Sequence, residues 1–121
     1  MNLNNHYDVA VIGAGPAGMA AAIEASRNNM KVLVLDDQPA AGGQVYRQID
    51  RNYPKNKELF FLGEDYWLGK KLVDNFKHSS AEFFPESRVW QITLDKHVFF
   101  SRKGRAYQVE ANFILISTGA T

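Results

Sequence analysis

The chain contains no cysteine. That excludes disulfides, thiolate metal sites and dithiol redox pairs from its chemistry. It also lacks an excess of charge of either sign. Lys and Arg number 14 against 13 Asp and Glu, a formal net charge of +1, with both signs mixed through both halves. Such a balance gives no electrostatic reason to expect nucleic acid or an acidic membrane surface as a partner. Long apolar runs are missing too, and none approaches the roughly 20 residues that span a bilayer. The start, MNLNNHYD, has neither the basic flank nor the apolar core of a signal peptide. His6, His78 and His97 show no metal-ligand spacing and no nucleophile partner, so neither a metal site nor a catalytic histidine is expected. There is no internal repeat, low-complexity segment or linker, and the polar stretch 47–58 is the nearest thing to a loop insertion. A soluble cytoplasmic protein without membrane insertion is the expectation. Its 121 residues, 45% of them apolar, suit one compact domain.

What is present is concentrated at the two ends. YDVAVI (7–12) is apolar on both faces after Asp8, as a buried parallel strand is. AGMAAAIEASRN reads as a helix, with Pro16 suited to its first turn and Asn28 or Asn29 able to end it in a left-handed conformation. KVLVL (31–35) returns as a second buried strand, completing a βαβ unit. Leu68, Leu72 and Phe76, with Val73 beside them, give a later helix one apolar stripe, and Asp65 is placed to cap it. AEFF (81–84) reads as a third parallel strand. RVWQITLD, HVFFSR and AYQVEA, separated by Asp95-Lys96 and Lys103-Gly104, read as an antiparallel meander. NFILIST (112–118) suits a separate central parallel strand. Trp90, Phe99 and Phe100 fall at strand positions, where the core or a sheet face accounts for them.

Gly13-Ala14-Gly15-Pro16-Ala17-Gly18 fits G-x-G-x-x-G at a strand-to-helix junction. The first glycine permits the tight turn, the second leaves room for a pyrophosphate, and the third lets helix and strand pack closely. Ala22, one turn later, keeps that packing surface small. Free N–H groups and the helix dipole attract the phosphates. Asp36, just past the second strand, stands where a carboxylate accepts hydrogen bonds from both hydroxyls of an adenosine ribose, with Asp37 the alternative one residue on. A carboxylate there also repels a 2′-phosphate. The pattern therefore points to an adenine dinucleotide.

Three segments together, VAVIGAGPAGMAAA, AAGGQVYRQ and ILISTGAT, resemble the flavoprotein oxidoreductases related to glutathione and thioredoxin reductases. LDDQPAAGGQVYRQI is similar to one branch, the FAD-containing subunits of opine oxidases, hydrogen cyanide synthase and related amino or imino acid dehydrogenases. The resemblance implies a Rossmann-like FAD-binding domain: α/β, with a central parallel sheet and a small antiparallel β-meander in three layers. FAD is the cofactor it implies, and partner subunits carry the electrons onward. Gly13, Gly15, Pro16, Ala17 and Gly18 would line the pyrophosphate and Asp36 would hold the ribose. Gly42, Gly43 and Gln44 would run along the cofactor, Val89 would meet the adenine through its backbone, and Thr118 and Gly119 would close over the site. Tyr46 could stack on a ring, though packing against the domain accounts for it at least as well, and Arg47 could neutralise phosphate or flavin charge, though a solvated loop arginine accounts for it better.

The departures matter as much. A second G-x-G-x-x-G, the nicotinamide-type domain and the later ribityl-contacting segment of that family are not in this sequence. The 121 residues therefore read as the amino-terminal part of an FAD-binding domain, with an incomplete flavin-facing wall and little or no turnover alone. No residue takes a catalytic role. Three functions fit: the FAD-binding portion of an opine oxidase-like enzyme that oxidises a C–N bond, part of a thioredoxin-reductase-like NAD(P)H-dependent flavin reductase, or a non-catalytic adenine-dinucleotide-binding module.

Overall fold

A computed structural model describes residues 3–41 and 64–118. The strands are β1 (His6–Ile12), β2 (Val32–Leu35), β3 (Glu82–Phe84), β4 (Ser87–Ile92), β5 (His97–Arg102) and β6 (Arg105–Ile116); the helices are α1 (Pro16–Arg27) and α2 (Glu64–His78). The strands form one sheet in the order β3-β2-β1-β6-β5-β4. β1 runs parallel to β2 and to the second half of β6, and β2 parallel to β3. β5 is antiparallel to β4 and to the first half of β6.

Side-chain alternation along a strand sends neighbouring residues to opposite faces. Val11 and Val34 point to one side, where Met19, Ala22 and Ile23 of α1 and Val73 and Phe76 of α2 cover them. Ala10, Ile12, Leu33 and Leu35 point to the other, against Val98, Phe100 and Val109 of the meander. Burying each of these larger aliphatic side chains stabilises the fold by roughly 1.5–3 kcal/mol. Helices, parallel sheet and meander thus make the three layers that the resemblance implied.

The clearest difference from the sequence reading is at β6. AYQVEA and NFILIST are one strand, without a break at Asn112. Its first half pairs His97 with Glu110, and the same Glu110 pairs across with His6 of β1, so the meander and the parallel sheet share a backbone. No glycine, proline or turn pair separates 105–111 from 112–116, which explains the continuity physically. On the helix side Phe113 and Leu115 stay 63% and 41% exposed, because the described helices cover β1 and β2 but leave this half of β6 bare. α1 ends with Asn29 in the left-handed region (φ 63°), while Asn28 keeps a negative φ of −94°. α2 begins at Glu64, so Asp65 lies inside the helix rather than at its cap. Lys103 and Gly104, both at positive φ, make the tight β5–β6 turn. Phe100 is fully buried, whereas Trp90, at the bulge in β4, is 54% exposed against the Phe99 ring.

At the end of β1 away from the glycine loop, His6 and His97 sit beside the Glu110 carboxylate, and His97 also faces Asp95. The Thr93 hydroxyl and then His97 hold the Asp95 carboxyl below its usual range. Tyr7 is fully buried in the core on the meander side, where its hydroxyl accepts the Asn4 N–H at 3.1 Å. Burial pushes the phenol above its ordinary pKa of 10.0, against a smaller opposing effect of the Asn4 bond. A raised phenol keeps its proton in the folded chain after the unfolded chain has lost it. Its contribution is therefore complete below about pH 10 and is lost as pH climbs through the raised value. Tyr7→Phe is expected to flatten part of the alkaline fall in stability, read by urea denaturation between pH 8 and 11. At neutral pH the same change costs about 1 kcal/mol, for the hydrogen bond.

Candidate dinucleotide-binding site

The loop between β1 and α1 is held by both neighbouring strands. Gly13 N–H donates to the Leu35 carbonyl at the end of β2 (2.7 Å), and Ser117 N–H, just past β6, donates to the Ile12 carbonyl (2.7 Å). The three glycines then serve three needs. Gly13 has φ 110°, and a Cβ on it would lie 2.7 Å from the Ser117 carbonyl oxygen. A Cβ on Gly18 would lie 2.0 Å from the Gly13 carbonyl oxygen, so only glycine lets the first turn of α1 rest on the loop. Among the described residues a Cβ on Gly15 would meet nothing within 4 Å. Their packing thus does not require a glycine there, and they leave open space beside it.

That space lies at the amino end of α1. Gly15 is the N-cap, with no side-chain capping bond and no acidic residue in the first turn, and Pro16 opens the helix. The helical ladder starts with Met19 N–H to the Gly15 carbonyl (2.9 Å). The N–H groups of Ala17 and Gly18 precede it, at the positive end of the helix dipole. An anion is what such an end stabilises.

Asp36 joins the loop from the side. Its Oδ2 accepts Ala14 N–H at 2.6 Å and its Oδ1 accepts Gln38 N–H at 2.8 Å. Each carboxylate oxygen keeps a further lone pair, so the group can still accept a sugar hydroxyl. The Asp36 carbonyl takes Ser87 N–H (2.8 Å) and the Gln38 carbonyl takes Glu86 N–H (3.0 Å), which brings the start of β4 to the same place. Asp37 is exposed and takes a bond from Gln38 Nε2 (3.2 Å), so Asp36 is the acid bonded to the glycine loop.

Of the residues singled out from sequence, Gly13, Gly15, Pro16, Ala17, Gly18 and Asp36 come together here. Val89 lies two residues beyond Ser87, paired with Phe100. Thr118 follows Ser117 and is exposed. Gly42, Gly43, Gln44, Tyr46, Arg47 and Gly119 lie outside the described residues. Ser117 is a further residue of this corner. Its Oγ is shielded from solvent and, among the described residues, has no hydrogen-bond partner. An unpaired buried hydroxyl costs about 1–3 kcal/mol. A serine directly before Thr118-Gly119 was the available signal. Among the described residues no cluster of three or more His, Asp or Glu could hold a metal, and no helix is long and apolar enough to cross a membrane.

Residues 7–121 match the family model described as pyridine nucleotide-disulphide oxidoreductase. The chain belongs to that family. An opine oxidase subunit of Agrobacterium tumefaciens (strain Ach5) is 43% identical in an alignment 127 positions long, which covers 98% of this chain and 25% of that protein. Thioredoxin reductase from Streptococcus pyogenes MGAS5005 superposes with a TM-score of 0.66 at 29% identity, over 98% of this chain and 37% of that one. L-proline dehydrogenase from P. horikoshii does so with a TM-score of 0.70 at 21% identity, over 94% and 22% respectively, a likeness of fold alone. The chain therefore spans about a quarter of the length of the opine oxidase subunits it matches. Membership of this oxidoreductase family agrees with the glycine loop, the three-layer fold and the acid at the end of β2.

Proposed function

We propose that the chain binds the adenosine-diphosphate end of FAD and forms the amino-terminal part of an FAD-binding domain in an oxidoreductase of the opine oxidase type. One observation carries the reading: Gly15 leaves open space at an uncapped helix amino terminus, while Asp36 is bonded to the adjoining residue Ala14. Glycine is a fair N-cap, but at an ordinary φ of −75° and with no packing contact among the described residues the fold does not require it. A ligand whose phosphates approach the backbone does. When bound, FAD would supply the hydride acceptor for oxidation of a C–N bond. The residues here would bind and orient it: Ala17 and Gly18 N–H toward the diphosphate, Asp36 toward the ribose.

The similarity to the Agrobacterium opine oxidase subunit supports C–N oxidation with partner subunits as the activity of the longer protein. A second reading, an NAD(P)H-dependent flavin reductase, is favoured by the 29% identity to the thioredoxin reductase structure. Reduction of bound flavin in the longer polypeptide by a secondary-amine amino acid would select the first; reduction by NADPH would select the second.

Titration of the purified chain with FAD, ADP and NAD, followed by calorimetry, tests the cofactor reading. FAD and ADP are expected to bind with affinities within about tenfold of each other, since only the adenosine-diphosphate contacts are built here. A folded sample that binds neither would overturn the proposal.

A further inference from the structure

We infer that Ser117 is a positioning residue of the diphosphate cradle, its hydroxyl giving the hydrogen bond by which the end of β6 steadies the bound diphosphate, directly or through one water. The inference rests on the dinucleotide reading above. Ser117 is fixed from both sides: its N–H donates to the Ile12 carbonyl at 2.7 Å, and its carbonyl lies 2.7 Å from where a Gly13 Cβ would be. Its Oγ lies 3.2 Å from where a Gly18 Cβ would be. The hydroxyl therefore occupies the wedge between β6 and the first turn of α1, in room left by missing side chains. It is out of solvent and, among the described residues, unpartnered.

A hydroxyl brings one donor and two acceptor positions, and buried polar groups in folded proteins are almost always paired. Alanine would fill the same wedge without leaving a polar atom unpaired. Folding by itself thus favours alanine, and the serine is explained by a polar partner that arrives with the ligand. The neighbouring Asp36 carboxylate does not compete for that partner, since it holds two backbone N–H groups and has no proton to give a phosphate oxygen.

The test pairs affinity with stability. Ser117→Ala is expected to weaken ADP and FAD binding about 5- to 10-fold, the usual effect of one lost hydrogen bond. Its urea midpoint without ligand is expected to match or exceed that of the parent chain. Ser117→Cys, which fills the space with a much weaker donor, is expected to follow alanine in affinity. Unchanged affinity in Ser117→Ala, or affinity restored by Ser117→Cys, would overturn the inference and leave Ser117 a packing residue. If the parent chain itself binds neither ADP nor FAD, the dinucleotide reading fails first and takes this inference with it.

Discussion

Gly18→Ala is expected to prevent the native packing of α1 on the glycine loop, whereas Gly15→Ala, three residues away, leaves stability nearly unchanged and weakens ligand binding. The new methyl at Gly18 would stand 2.0 Å from the Gly13 carbonyl oxygen and 3.1 Å from its carbon. Both are backbone atoms, tied to β2 by the Gly13 N–H bond to Leu35. Relief requires the helix to lift off the sheet and open the Met19, Ala22 and Ile23 side of the core. Overpacking of this kind costs roughly 3 kcal/mol or more, a large part of the 5–15 kcal/mol that holds a domain together. At Gly15 the backbone is in a region any residue adopts, and the methyl meets nothing among the described residues. The entropy gained by removing a glycine, about 0.4–1 kcal/mol, offsets the weaker N-cap that alanine makes. ADP binding to Gly15→Ala is nonetheless expected to fall by at least about tenfold, because the methyl takes the space of the approaching phosphate. Urea denaturation and ADP titration of the two variants check both halves. Equal loss of stability in both would mean that the glycines serve the fold alone.

Asp36→Ala is expected to damage fold and binding together. The carboxylate is the acceptor for two backbone N–H groups, Ala14 at 2.6 Å and Gln38 at 2.8 Å, and so clamps the glycine loop to the end of β2. Bonds to a charged acceptor contribute about 1.5–3 kcal/mol each where buried. Asp36 is only part-buried, and its N–H partners regain some hydration, so a total loss of about 2–4 kcal/mol is expected. For a chain of this size that corresponds to a fall in Tm of roughly 5 °C per kcal/mol. Asp36→Asn retains one acceptor oxygen but turns an NH2 toward the other N–H, so its loss is expected to be about half. ADP affinity falls in both variants. A Tm unchanged in Asp36→Ala would show that the two hydrogen bonds are not part of the folded state in solution.

Much of this was legible in the sequence because several local rules agreed. Apolar runs without alternation marked β1 and β2, and the glycine spacing with Asp36 marked the ligand end of the sheet. The two glycines of the first loop that matter to folding, Gly13 and Gly18, were readable as a turn and a packing contact. The structure added which atoms they accommodate. The continuity of β6 was not legible. Its first half alternates as a half-exposed antiparallel strand and its second half is apolar throughout, so the change of pattern resembled a boundary. In fact it records a change of neighbours, from β5 to β1. Ser117 was not legible either, because a serine at a strand end is ordinary until its burial is known. The bond from Ala14 N–H to Asp36 also depends on a close approach of two loops that no spacing rule specifies, whereas the bond from Gln38 N–H is a local turn two residues on.

The shared backbone of β6 has a consequence for how the chain acquires its fold. β1 and β2 are close in sequence and lie on either side of one helix, so their pairing closes a short loop. The other edge of β1 must wait for β6, whose partner register joins His6 to Glu110 across almost the whole chain. Contacts of such long range slow folding, because the entropy of the intervening chain is lost before they form. During synthesis the βαβ unit can assemble early with β1 unpaired on one side, and the β4–β5 hairpin can form on its own. Neither reaches its final layer until β6 inserts between them. One late strand therefore sets the moment at which the glycine loop receives its Ser117 support, and a chain released before that moment would expose β1 as a sticky edge to its neighbours.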